Sequence, residues 1–254
     1  HTAFFSDIQN FSTFSEQLEP EKMVKLMNEY LTEMTDILLQ HQGTLDKYIG
    51  DAIVAFYGAP APLVDQEKKA CSTALMMHNK LDELRKKWMK EDDWPDIVYQ
   101  MQHRIGLNSG QMVTGNMGSE MRMNYTMMGD TVNLAARLEP AAKQYGVYIL
   151  VGEKVYEASN DEFAFRFLDF LSVKGKEIPA KTYELIDRKD SIDKRSIELI
   201  KTFEEGLDNY FNQKWDHAIK SFMKAINFED DFPGRNTNPS QVFIDRCNYF
   251  KQNP

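Results

Sequence analysis

Apolar positions recur with two different periods along the chain, and the change of period separates helices from strands. From Met23 to His41 they recur every three or four residues, which predicts a long amphipathic helix. A second long helix is predicted from about Asp65 to Trp88. Short runs with the composition of strands lie between and after these helices. This alternation predicts an α+β sandwich with a mixed sheet rather than a parallel βαβ protein.

The strand-like runs are short, and several of them are joined as hairpins. They cover residues 3–8, 44–49, 52–58, 100–110, 111–116, 121–128, 148–151, 163–173 and 181–186. Gly50 and Asp51 lie between two of these runs and form a hairpin turn signal. A further helix is predicted to begin near Thr131.

Composition limits the class of protein and its surroundings. The 254 residues carry a net charge of -9, which argues against a nucleic-acid partner but allows a locally positive nucleotide pocket. Two cysteines, Cys71 and Cys247, form no disulfide framework, so we expect a reducing, cytoplasmic location. No apolar run reaches the roughly 18 residues of a membrane span. The chain begins inside a strand-like run at His1, so we expect a fragment of a longer protein, and membrane attachment of that longer protein is left open.

Two polar residues near the start of the third predicted helix are candidates for binding a sugar and a polyanion. Asn133 and Arg137 are four residues apart and therefore share one helix face. An amide and a fixed cation in this position suit a sugar and a polyanion. Taken alone, the stretch also fits an ordinary amphipathic helix with its arginine in solvent.

Two aspartates lie at the ends of strand-like segments. Asp7 follows the first apolar run, and Asp51 lies at the tip of the predicted hairpin. If these strands are neighbours, the two carboxylates converge at one end of the sheet, which suits two Mg²⁺ ions. The alternative is that Asp51 only forms the turn.

Six segments resemble, in the same order, the motifs of the class III adenylyl/guanylyl cyclase catalytic domain. They are Phe5 to Ile8, Leu45 to Asp51, Arg104 to Gly110, Tyr125 to Asp130, Asn133 to Glu139, and Val173 to Lys176. The resemblance covers residues 1–187. It implies a ferredoxin-like, palm-type α+β sandwich with a mixed, mostly antiparallel sheet and active sites at a dimer interface.

The resemblance implies that Asp7 and Asp51 bind two Mg²⁺ or Mn²⁺ ions, with the backbone carbonyl of Ile8 beside them. Lys47 and Thr126 match the two positions that select the purine. Lysine and threonine there resemble adenylyl cyclases, because they suit N1 and the amino edge of adenine. Guanylyl cyclases of this family usually carry Glu and Cys instead. The expected substrate is therefore ATP.

The remaining matches imply roles around the ribose and the phosphates. Asn133 matches the residue that orients the ribose, and Arg137 matches the one that stabilises charge on the α-phosphate. Arg104 and Lys174 match positions that neutralise the β- and γ-phosphates. Lys176 is a further candidate, although a solvated turn lysine is an equal alternative.

The family divides each site between two partners, with the metal aspartates on one and the Asn/Arg pair on the other. A chain that holds both halves implies a symmetric homodimer with two equivalent sites. Residues 117–123 resemble the dimerisation arm of the family, although a plain hairpin loop is an alternative. We also expect an upstream sensor or regulatory domain in the full-length protein.

Residues 188–254 depart from the cyclase pattern and predict a helical extension. Its small and large apolar residues fit one tetratricopeptide-like helix pair: Gly206, Tyr210, Trp215, Ala218, Ile219, Phe222 and Ala225, with Pro233 beyond the second helix. Gln213 stands where that repeat prefers glycine. A third helix is predicted near residues 241–250. One repeat cannot bury its own apolar face, so we expect the extension to pack on the catalytic domain or on its dimer mate.

Three functions follow as hypotheses. The first is an adenylate cyclase that converts ATP to 3′,5′-cyclic AMP and pyrophosphate, with a guanylate cyclase as its variant. The second is a catalytically inactive, cyclase-like dimerisation or nucleotide-sensing module. The third is a tetratricopeptide-type scaffold. The complete set of Asp7, Lys47, Asp51, Asn133 and Arg137 favours the first.

Overall fold

The computed structural model of the protein describes residues 1–172, 179–232 and 235–253. Lys174 and Lys176, the predicted phosphate-binding lysines, lie outside the described residues. Pro233, predicted to follow the second helix of the extension, also lies outside them. No helix within the described ranges is long and apolar enough to cross a membrane.

Seven strands form one mixed sheet, and two more form a separate ribbon. The strands are β1 (Thr2–Ile8), β2 (Thr44–Ile49), β3 (Ala52–Tyr57), β4 (His103–Ser109), β5 (Val113–Ser119), β6 (Arg122–Met128), β7 (Ile149–Gly152), β8 (Phe163–Leu171) and β9 (Ala180–Arg188). The sheet order is β2-β3-β1-β4-β7-β9-β8, and β5 pairs with β6 in the ribbon. Within the described sheet β4 and β7 run parallel and the other pairs run antiparallel. The predicted mixed, mostly antiparallel α+β architecture is confirmed.

The helices cover both faces of the sheet. They are α1 (Phe11–Ser15), α2 (Pro20–Gln40), α3 (Gln66–Glu91), α4 (Asp96–Tyr99), α5 (Asp130–Tyr145), α6 (Glu153–Ser159), α7 (Lys194–Phe211), α8 (Trp215–Ile226) and α9 (Pro239–Gln252). The short α6 was not expected from the sequence, because its seven residues are too few to show a helical period.

Alternating residues of the central strands divide the core between the two faces. Phe4 and Ile8 of β1 pack with α2 and α3 in the main apolar cluster. Ala3 faces the other way and packs in a smaller cluster with Ala135 of α5. Successive strand residues point to opposite faces, so Asp7 shares the face of Ala3. The first predicted metal ligand therefore lies on the side of the sheet that α5 covers.

The C-terminal helices α7, α8 and α9 form the predicted helical extension. Gly206 of α7 lies so close to α8 that a Cβ atom there would be 2.5 Å from the ring of Phe222. The small residue at this position therefore permits the tight helix pair that the sequence pattern predicted. Phe203, Phe222 and Phe243 then form the aromatic centre of the three helices.

A buried ion-pair network attaches the extension to the sheet. Arg166 of β8 is 1 % exposed and lies 2.7 Å from a carboxylate oxygen of Glu229 and 2.6 Å from one of Glu184. Glu229 follows α8, and it also accepts hydrogen bonds from Arg235 and Ser240. One apolar cluster joins Leu138 of α5 to residues of all three C-terminal helices. The extension therefore packs on the sheet and on α5 of its own chain, which was one of the two expected positions.

Candidate active site

One row of β4 side chains attaches α5 to the sheet. Arg104, Gly106 and Asn108 alternate along β4 and all face α5. The Asn108 side-chain amide donates to the backbone carbonyl of Thr131 at 2.9 Å, near the start of the helix. The Arg104 Nε donates to Glu139 at 2.8 Å, further along the helix. These contacts hold α5 along β4 over more than two turns.

Gly106, in the middle of this row, sets the distance between helix and strand. A Cβ atom at this position would lie 2.6 Å from the Ala135 carbonyl oxygen and 2.5 Å from the Glu139 amide nitrogen. Both are backbone atoms, which cannot move aside as a side chain can. Glycine is therefore required for α5 to lie directly on β4.

Arg104 is the one predicted ligand of the β- and γ-phosphates within the described residues, and its guanidinium is already paired with a carboxylate. Its guanidinium forms a buried ion pair with Glu139, and its Nη1 atom has no hydrogen-bond partner in the described part of the chain. In the β1–β4 register Arg104 lies opposite Asp7. This places a cation at the end of β1, beside the first predicted metal ligand.

The structure brings Asp7 and Asp51 together. Strands β1 and β3 are antiparallel neighbours, so the end of β1 lies beside the β2–β3 turn. The backbone amide of Ile8 donates to Asp51 Oδ2 at 2.9 Å. Burial, together with the adjacent Asp7 carboxylate, raises the pKa of Asp51 to about 7. Two like charges are thus held close together, and bound cations would relieve their repulsion.

Asn133 and Arg137 lie on the outer face of α5. Both are exposed, whereas Leu134, Ala135 and Leu138 on the opposite face are buried. Neither side chain forms a hydrogen bond or an ion pair with another described residue. In particular, no such contact joins them to Asp7 or Asp51. The two predicted halves of the site are therefore present in one chain but make no contact with each other there.

The predicted purine-selecting residues do meet. Lys47 of β2 donates through Nζ to the Thr126 hydroxyl of β6 at 3.3 Å, across 79 residues of sequence. This contact links the main sheet to the β5–β6 ribbon. The neighbouring Asp46, which sequence reasoning did not include, lies in the same cluster. The only sequence signal for it is an acidic residue directly before the lysine.

The β5–β6 ribbon projects apolar side chains into solvent. Its tip falls between Ser119 and Arg122, so the predicted dimerisation arm is locally a hairpin. Met121 is 95 % exposed, and Val113, Met123 and Met128 are each more than half exposed. Several exposed apolar side chains on one ribbon are typical of a protein–protein contact surface.

These features have counterparts in known proteins. The sequence model of the family described as "Adenylate and Guanylate cyclase catalytic domain" matches residues 1–187. The chain belongs to this family. The family membership predicted from the six motifs is thereby confirmed.

The similar proteins and solved structures include both adenylyl and guanylyl cyclases. The terminal-differentiation specific adenylate cyclase of Dictyostelium discoideum is 30% identical over 251 residues, which is 97% of this chain and 11% of that protein. The crystal structure of the adenylyl cyclase CyaB from P. aeruginosa is 34% identical with a TM-score of 0.67, covering 76% of this chain and 96% of that one. The guanylyl cyclase Cya2 structure is 29% identical with a TM-score of 0.66, covering 76% and 94%.

The lengths of these relatives limit what the comparison shows for a whole protein. The chain spans 11% to 36% of the first three curated relatives that it matches. The similarity to the Dictyostelium protein extends beyond residue 187, since 251 residues are aligned. The alignment with this one relative therefore also includes sequence from the region of α7 to α9.

Proposed function

We propose that this protein is an adenylate cyclase, which converts ATP to 3′,5′-cyclic AMP and pyrophosphate at the interface of a homodimer. The observation that carries the proposal is the contact between Lys47 and Thr126, the two family positions that select the purine. An ammonium group suits the N1 acceptor of adenine, and a hydroxyl oxygen suits its amino group. The names of the adenylate cyclase relatives support the same substrate.

Asp7 and Asp51 fit a site for two divalent cations. Their carboxylates are close together and have no ion-pair partner in the part of the chain that the structure describes. Oxygen ligands of this kind are those that Mg²⁺ and Mn²⁺ prefer. The Ile8 carbonyl is the third proposed ligand. When bound, the two ions would favour ionisation of the ribose 3′-hydroxyl and neutralise the triphosphate.

The other site residues position the nucleotide for an in-line displacement. The bond from the ribose 3′-oxygen to the α-phosphorus forms while the bond to the bridging oxygen breaks, and pyrophosphate leaves. Asn133 orients the ribose, and Arg137 stabilises the charge that develops on the α-phosphate. Arg104 adds positive charge near the phosphates. The hydroxyl proton passes to Asp7 or to solvent.

The homodimer follows from the placement of the two halves. Asn133 and Arg137 are exposed, and no described contact joins them to the aspartates of their own chain. A second copy related by a two-fold axis would bring its Asn133 and Arg137 to the aspartates of the first, and the reverse. The apolar ribbon around Met121 is the proposed contact arm.

The surroundings of the enzyme are part of the proposal. The short coverage of its relatives supports a longer protein in which a regulatory region controls this domain. Because ATP and reduced cysteines are both found in the cytoplasm, we place the catalytic domain there. Cyclic AMP made there would act in cyclic-nucleotide signalling.

The test is cyclic nucleotide formation by the chain, offered ATP and GTP in parallel with Mg²⁺ or Mn²⁺. We expect cyclic AMP to exceed cyclic GMP and its rate to rise more than linearly with protein concentration. Asp51→Ala is the inactive control, and Asp36→Asn on the exposed face of α2 is the matched active control.

Other outcomes would redirect the proposal. A preference for GTP would make the protein a guanylate cyclase. This alternative is supported by the similarity to guanylyl cyclase structures. Product from neither nucleotide, even after an added coiled coil forces dimerisation, would indicate an inactive nucleotide-sensing module.

A further inference from the structure

An inserted residue in β2 changes the direction of the purine-selecting lysine. Leu45 pairs with Ala55 and Lys47 pairs with Val54, which directly precedes Ala55 in β3. Asp46 therefore has no partner of its own in β3 and forms a β-bulge. Residues two apart on a regular strand share a face, but this bulge puts Leu45 and Lys47 on opposite faces. Val54 faces the α5 side, and so therefore does Lys47.

Asp46 contacts both purine-selecting side chains. Its Oδ1 lies 3.2 Å from Lys47 Nζ, and its Oδ2 accepts a short hydrogen bond from the Thr126 hydroxyl. The Asp46 side chain is 1 % exposed, whereas that of Lys47 is 39 % exposed. The carboxylate therefore lies beneath the pair, and the lysine remains accessible to a ligand.

These contacts determine which hydrogen-bonding groups remain for a base. A threonine hydroxyl has one proton and two acceptor lone pairs. Its proton is donated to Asp46 and one lone pair accepts from Lys47, so one acceptor position remains. The ammonium group has three protons. Thr126 accepts one of them, and Asp46 Oδ1 forms an ion pair with the group without a hydrogen bond, so donor protons remain for a base.

We propose that Asp46 is a specificity-determining positioning residue, which holds Lys47 as a donor and Thr126 as an acceptor toward adenine. This inference rests on the proposed function. Adenine presents an acceptor at N1 and a donor at its 6-amino group, which match a free proton of Lys47 and the free lone pair of Thr126. Guanine presents a donor at N1 and an acceptor at O6, so both contacts would be mismatched. A site whose polar groups are left unpaired rejects the wrong ligand strongly.

The test compares Asp46→Ala with the wild type in kcat/KM for ATP and for GTP. Loss of the carboxylate frees the Thr126 proton, which can then be donated to guanine O6. We expect the ATP-to-GTP ratio of kcat/KM to fall roughly 10- to 100-fold, mainly through a higher KM for ATP. Asp46→Asn should keep part of the ratio, since its amide oxygen still accepts from Thr126. Asp36→Asn should leave the ratio unchanged.

A second measurement shows whether Asp46 acts through Thr126. In a Thr126→Val background no hydroxyl is left to orient, so Asp46→Ala should change the nucleotide ratio much less than it does in the wild type. Equal loss of activity with ATP and GTP on Asp46→Ala would mean that Asp46 only supports the fold, and would overturn the inference. If Asp46→Ala does not fold, Asp46→Asn and Thr126→Val carry the same comparison.

The failure of this inference can be separated from failure of the proposed function. If the wild type forms neither cyclic nucleotide, the purine preference of the same pocket can be measured by the binding constants of non-hydrolysable ATP and GTP analogues. A preference for the ATP analogue that Asp46→Ala removes would support the inference although the function had failed. A preference unchanged by the substitution, or no binding of either analogue, would overturn it.

Discussion

The two ends of the proposed nucleotide site differ in how their charges are balanced. At the purine end Lys47 has a counter-charge in Asp46, and the Thr126 hydroxyl has partners for its proton and one lone pair. At the metal end Asp7 and Asp51 repel each other, and the nearest cation from β4, Arg104, is paired with Glu139. The first region thus has its polar partners within one chain, whereas the carboxylates of the second have no ion-pair partner among the described residues.

This difference suggests a division of labour. A pocket with satisfied polar groups is preorganised and selects its ligand without rearrangement. A pair of uncompensated carboxylates costs stability until cations arrive, so it gains its order from the ligands that it binds. Specificity would thus belong to the single chain, and catalysis to the assembly of cations and two chains.

The strongest test of this division is complementation between two inactive variants. Asp51→Ala and Arg137→Ala should each lose activity by about 10³-fold, because each removes one half of every site. If the two variants are co-expressed in equal amounts, half of the dimers contain one chain of each kind. In each mixed dimer one of the two sites is intact. We therefore expect activity to return to about a quarter of the wild-type value.

The control for complementation is co-expression of two differently tagged Asp51→Ala chains, which should remain inactive. Activity that returns no higher than in this control would mean that each site lies within a single chain.

A smaller effect is expected when the purine pair is exchanged for the residues typical of guanylyl cyclases. Lys47→Glu with Thr126→Cys places a second carboxylate beside Asp46, so repulsion should leave the double variant a poor enzyme with either nucleotide. Adding Asp46→Asn removes that repulsion and should raise GTP turnover roughly tenfold over the double variant. Steady-state rates with both nucleotides measure this. A double variant that already uses GTP well would show that Asp46 does not restrict the pocket.

The smallest expected effect is on thermal stability of the metal-free protein. The pKa of Asp51 is raised to about 7 in the folded state and lies near 4 in the unfolded chain, so the folded state loses stability as pH rises through 7. With a chelator present, we expect the melting temperature to fall by roughly 5 °C between pH 5 and pH 8 from this group.

Asp51→Asn should remove that part of the pH dependence, whereas Asp36→Asn should retain it. Mg²⁺ or Mn²⁺ should restore stability at pH 8 in the wild type but not in Asp51→Asn. An identical pH dependence in all three proteins would contradict the assignment of the carboxylate repulsion to Asp51.

The sequence allowed prediction of those features that depend on local pattern. The long helices α2 and α3 follow from apolar period, and the β2–β3 hairpin from Gly50 and Asp51. Asp7, Asp51, Asn133 and Arg137 were found because each stands in a recognisable motif, although their roles remain predictions.

The features that the sequence did not predict depend on pairing across long distances. The bulge at Asp46 exists only relative to β3, and its contact with Thr126 joins residues 80 positions apart. The ion pair between Arg104 and Glu139 joins β4 to α5. The attachment of Glu229 to Arg166 spans 63 positions. Nothing in the local composition around these residues indicates their partners.

The close packing of α5 against Gly106 has a consequence for the alignment of both sites in the proposed dimer. A methyl group at this position would require the helix backbone to move by several tenths of an ångström or more, since its nearest contacts would be 2.5 and 2.6 Å. In a two-fold assembly both copies of α5 would move alike, so both shared sites would be misaligned together. How well both proposed sites align thus depends on a position that is buried between strand and helix. No substrate atom needs to reach this position.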